Sequence, residues 1–69
     1  MNKIKKLVEK TGKSYKQFGS LFPVSKQTIW RWCTDCNSVD YKKPNTTNAK
    51  IILSIAKHYK FDLTLNEIL

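Results

Sequence analysis

The sequence predicts an all-α fold, a single compact domain of short helices spanning residues 1–69, and three observations predict it. Apolar residues recur at spacings of three and four, the period of a helix with one buried face. Side chains able to cap a helix stand before these runs, and Gly or Pro stands after several of them. At 69 residues the chain is long enough for one domain, and a domain this small buries only about 60% of the surface its unfolded form exposes, so the core has to be economical.

The first helix is expected from Asn2 to Thr11, with Ile4, Leu7 and Val8 inward, lysines and Glu9 outward, and Gly12 closing it. Ser14 caps a second helix with Phe18, Leu21 and Phe22 inward, and Pro23 stops it because the residue before a proline is pushed away from helical geometry. Ser25 caps a third, running to about Thr34, with Ile29, Trp32 and Cys33 inward. Thr34 to Asn45 gathers Asp35, Asn37, Ser38, Asp40 and Pro44 without a sustained period and reads as an exposed loop. A longer fourth helix begins at Thr46 or Thr47, with Ala49, Ile52, Leu53, Ala56 and Tyr59 inward. Thr64-Leu65-Asn66-Glu67 has the form of a capping box, predicting a last turn that holds Ile68 and Leu69.

Charge narrows the function classes. Thirteen Lys plus Arg against five Asp plus Glu give a net charge of +8, the footprint of a polyanionic partner. Nucleic acid is the first candidate and an anionic membrane surface the second, weakened because the apolar faces are needed for the core. All the basic residues but Arg31 are lysine, so bidentate reading of guanine by a guanidinium falls to Arg31 alone. No apolar stretch approaches the roughly 20 residues that span a bilayer, Ile51 to Ala56 being interrupted by Ser54. The start lacks the apolar segment and cleavage site of a secretory signal, so the cytosol is the expected compartment.

Tyr15 to Thr34 is the informative stretch. Two helices that meet steeply across a tight turn need a small residue at the close approach and apolar residues at fixed offsets. Gly19 is the small residue, Phe22-Pro23-Val24-Ser25 the turn, and Phe18, Phe22, Val24, Ile29 and Trp32 the apolar set. This stretch resembles the helix-turn-helix of phage Cro proteins and phage repressors, whose pattern is roughly Ala-x-x-x-Gly-Val-Ser-x-x-x-Ile-Ser-x-Trp. Gly19 stands at the Ala position, Pro23 at the turn Gly, Trp30 at the second Ser, and Tyr15 where Gln is frequent. Lys42-Lys43-Pro44, the run Ile51 to Lys57 and the run Leu63 to Leu69 look like the family's last two helices and their approach, so the resemblance covers nearly the whole chain.

The resemblance implies a five-helix lambda-repressor-like domain that binds double-stranded DNA as a transcriptional regulator, a Cro-like repressor of a phage or mobile element. It implies a homodimer on an inverted-repeat operator, with base contacts from Ser25, Lys26, Gln27, Thr28 and Arg31. Helical geometry agrees, since residues 27, 28 and 31 lie opposite Ile29 and Trp32. Phosphate contacts are expected from Ser14, Tyr15 and Lys16 at the start of the second helix and from Lys42, Lys43 and Asn45 before the fourth. The alternative is a helix-turn-helix module for a protein partner, an antitoxin or antirepressor, engaged through Trp30 or the C-terminal helix.

Other chemistry finds little support. Cys33-Thr34-Asp35-Cys36 has a spacing used in zinc and redox sites, but there is no second such pair and His58 is the only other soft ligand, so the thiols read as structural or incidental. No nucleophile, base and orienting group form a set. Neither an enzyme nor a metal or other cofactor is expected. Trp30 either packs against the loop or first helix, or faces a partner.

Overall fold

A computed structural model describes residues 2–68. Among them the chain forms five α-helices and no strand: α1 (Lys3–Thr11), α2 (Tyr15–Gly19), α3 (Lys26–Cys33), α4 (Thr46–His58) and α5 (Leu65–Ile68). The radius of gyration is 10.7 Å, close to the roughly 11 Å of a folded domain of this length. Leu69, expected in the last turn, lies outside the described residues.

Each helix is set by its ends. Asn2 caps α1, its side-chain oxygen accepting from the Ile4 and Lys5 amides, and Gly12 closes it in the left-handed region at φ 72°. Ser14 and Gln17 exchange side-chain-to-backbone hydrogen bonds in a capping box at α2. Ser25 caps α3 through the Thr28 amide, and Asn45 caps α4 through the Asn48 amide at 2.8 Å. Helix α4 ends at Tyr59 and Lys60, Lys60 adopting φ 55° while the Phe61 amide bonds back to the Ala56 carbonyl. The Thr64 amide donates to Glu67 Oε1 at 3.0 Å, the glutamate half of the expected capping box, while the Thr64 hydroxyl turns to the same carboxylate oxygen at 3.1 Å and does not cap the Glu67 amide.

The core is one cluster of Ile4, Leu7 and Val8 from α1, Phe18 from α2, Phe22 from the turn, Ile29, Trp32 and Cys33 from α3, Ala49, Ile52 and Ala56 from α4, and Ile68. Its centre is aromatic: Phe22 lies 5.2 Å from Phe18 and meets the edge of Trp32 at 5.1 Å. The most extensive helix–helix contact is that of α2 with α3. Asn2 adds a stitch, its amide donating to the Trp32 carbonyl at 2.6 Å and the Thr34 carbonyl at 2.8 Å, so the first turn of α1 satisfies the last carbonyls of α3.

Two expectations need correction. Helix α2 ends at Gly19, and the chain then tightens, Leu21 and Phe22 bonding back to the Phe18 and Gly19 carbonyls, three residues behind. Phe22 fills the space over Phe18, so Leu21 does not point inward and is 47% exposed. The loop is largely exposed, as its composition implies, with Pro44 the exception. Asp35 and Ser38 accept from backbone amides to fold it into turns, Tyr41 is half-buried and Pro44 is buried. In α4, Leu53 is half-buried against the core, and Tyr59, expected inward, lies past the end of the helix and is half-buried.

Lys3 and Glu67 form an ion pair joining the two ends of the domain. The Lys3 hydrogen bond holds the Glu67 carboxyl below its usual range, and the same bond raises the Lys3 ammonium. A depressed carboxylate stabilises the fold above its unfolded pKa and loses that contribution as the pH falls through its folded value; the raised amine loses its share only as the pH rises through the lysine range. Thermal melts should therefore drop more on acidification for the native chain than for Glu67→Gln, the difference shrinking in high salt. Parallel melting curves at all pH values would remove the pair from the stability of the domain.

Candidate nucleic-acid interface

Because Ile29, Trp32 and Cys33 are buried, the opposite side of α3 must face solvent, and it presents Lys26, Gln27, Trp30 and Arg31. Gln27 and Arg31 are one turn apart and share a face. Thr28 is half-buried and donates its amide to Ser25 Oγ at 3.3 Å, and the two hydroxyls lie 3.1 Å apart. Ser25 is exposed at the start of the helix.

The position of α3 against α2 depends on Gly19. A Cβ there would stand 2.7 Å from the Val24 carbonyl oxygen and 3.1 Å from Ile29 Cγ1. The Gly19 carbonyl also accepts the Val24 amide at 2.8 Å. Backbone thus meets backbone where the turn crosses the end of α2, and a shallow groove lined by Lys16, Ser20, Val24, Ser25 and Lys26 opens beside the crossing. Lys16 and Lys26, far apart in sequence, flank one depression.

At the other end of α3 the Arg31 carbonyl accepts the Lys42 amide at 3.3 Å. This fixes the exposed Lys42 beside Arg31, with Lys43 next in the chain and Pro44 buried below. No Asp or Glu occurs between Lys10 and Thr34, or between Tyr41 and Phe61. Helices α2, α3 and α4 therefore lie in segments that carry lysines and Arg31 but no carboxylate, which favours an anionic partner.

The structure brings Ser25, Lys26, Gln27 and Arg31 together on one exposed stretch, with Thr28 on its flank. Ser14, Lys16, Lys42, Lys43 and Asn45 are exposed as well, although the Ser14 and Asn45 side-chain oxygens serve their own caps. Tyr15 stands apart. Its ring packs on the core, burial raises its hydroxyl pKa, and that hydroxyl contacts the Cys33 thiol. Asn2, which holds the end of α3, carried no signal in the sequence because its partners are about 30 residues away.

Cys33 is buried and Cys36 exposed, and no group of three metal-binding side chains occurs among the described residues. Burial pushes the Cys33 thiol up to about 12, which leaves no reactive thiolate at neutral pH. Alkylation of the folded chain should label Cys36 alone, and denaturation should release the second thiol. Two labels at equal rates under native conditions would mean that α3 opens readily. His58 is exposed, edge-on to Tyr59 at 5.2 Å, and no helix of the described residues is long and apolar enough to cross a membrane.

Comparison with protein-family models, with curated proteins and with solved structures gives no significant match. The functional reading accordingly rests on the chemistry of the surface itself.

Proposed function

We propose that the chain is a sequence-specific double-stranded-DNA-binding transcriptional regulator of the Cro and phage-repressor type, with α2 and α3 as its helix-turn-helix. In this reading it acts as a homodimer on an inverted-repeat operator, in the cytoplasm of a bacterial or phage-infected cell, and catalyses no reaction. One observation carries the proposal: the row Lys26, Gln27 and Arg31 is exposed opposite buried Ile29 and Trp32, on a helix flanked by Lys16 and Lys42 within carboxylate-free segments.

With α3 in the major groove, Gln27 pairs with an adenine edge, Arg31 or Lys26 with guanine, and Thr28 offers its methyl to thymine while Ser25 holds its hydroxyl. Ser14, Lys16, Lys42, Lys43 and Asn45 face the phosphates and set register. Tyr15, half-buried at the start of α2, belongs to the same set in this reading. Selection from random-sequence duplexes tests the proposal. The expected product is an inverted repeat whose half-sites are about 34 Å apart; equal affinity for selected and scrambled duplexes overturns it.

A second reading, a helix-turn-helix module for a protein partner such as an antitoxin or antirepressor, draws on a separate feature. Leu21, Ile51, Ile55 and Tyr59 line an apolar groove between the α2–α3 turn and α4. Recovery of a stoichiometric protein partner from the native host, with no footprint on DNA, would favour it.

A further inference from the structure

Trp30 is 41% exposed, while Trp32, two residues on, is 2% exposed. The exposed part of this indole, on a helix whose inner face is already filled, is not accounted for by the core. Its surroundings on α3 are Lys26 one turn back, Gln27 three residues back and Arg31 beside it, all exposed. On its own helix the exposed neighbours of Trp30 are thus the cations and the amide that face the proposed duplex.

We infer that Trp30 is a specificity-determining residue of the DNA interface, packing its indole on thymine methyl groups beside the bases read by Gln27. The inference rests on the DNA-binding reading and adds to it a residue and a base preference. In the major groove the C5-methyl of thymine is the apolar group that a base pair presents. A flat indole is well suited to cover it, gaining by desolvation where the neighbouring side chains gain by hydrogen bonding. Its position, offset from Gln27 toward Lys26 around the helix, puts that contact at the flank of the hydrogen-bonded bases.

The test uses the whole chain and the duplex enriched from random sequence. Thymines are replaced one at a time by deoxyuridine, which removes only the methyl, and binding is measured for the native chain and for Trp30→Ala and Trp30→Phe. At one or two positions the native chain should lose about fourfold in affinity per methyl, the worth of one buried methyl-sized group. Trp30→Ala should be indifferent to the same replacements. Acrylamide quenching of tryptophan fluorescence should fall on binding, Trp30→Phe supplying the signal of the buried Trp32. If no deoxyuridine replacement weakens the native chain, the inference fails while the DNA-binding reading stands. The same holds if Trp30→Ala keeps native affinity or the exposed indole stays quenchable in the complex, results that return Trp30 to a protein partner. If selection enriches no duplex, the DNA-binding reading itself fails.

Discussion

Replacing Gly19 with alanine is expected to destabilise the domain by about 1–3 kcal/mol, the range for forcing extra atoms into a packed site. Helix propensity alone argues the reverse, since alanine exceeds glycine by about 1 kcal/mol in a helix interior. Geometry decides the sign. The new methyl would meet the Val24 carbonyl oxygen at 2.7 Å, and that residue cannot withdraw freely because its amide is bonded to the Gly19 carbonyl. The Ser25 carbonyl at 3.4 Å and Ile29 Cγ1 at 3.1 Å close the other sides. Urea unfolding measures the effect, as a lower midpoint with an unchanged slope. An equal or higher midpoint would mean that α2 and α3 stand farther apart than described. The same contact accounts for glycine at this position, since the backbone crosses too close for a Cβ.

Substituting Arg31 and Lys42 separately should split recognition into its two parts. Arg31→Ala is expected to weaken the selected duplex by about 1–3 kcal/mol and to relax preference at one base pair. Lys42→Ala should weaken selected and scrambled duplexes alike and reduce the slope of log K against log salt by about one. The two residues are joined through their backbones, the Lys42 amide on the Arg31 carbonyl, so the contrast compares roles and not distant regions. Salt titrations on both duplexes supply the readout. A uniform loss for Arg31→Ala would reassign that guanidinium to a phosphate.

Local signals were the legible ones. Ser14, Ser25 and the Thr64–Glu67 pair announce their helix starts because a cap is made within three residues of itself. The exposure of Lys26, Gln27 and Arg31 follows equally from the burial of Ile29 and Trp32, a matter of period. What the sequence hid depends on packing between distant segments. Leu21 and Phe22 are adjacent and both apolar, and only the aromatic cluster with Phe18 and Trp32 decides that Phe22 goes inside. Tyr15 carries no mark of its contact with Cys33, nor Asn2 of its bonds to Trp32 and Thr34. Turn composition in residues 34–45 could announce a loop but not the burial of Pro44.

That loop is tied at its base and loose at its summit. The Lys42 amide on the Arg31 carbonyl and buried Pro44 fasten the returning strand of chain, whereas Val39 is fully exposed. Residues threaded in near Val39 would lengthen a closed span, whose entropy grows only with the logarithm of its length, about 0.6 kcal/mol per doubling. The spacing between Arg31 and the Lys42-Lys43 pair would not change. This summit is therefore a place where an epitope, a dye-bearing peptide or a natural insertion can be carried without disturbing the exposed side chains of α3.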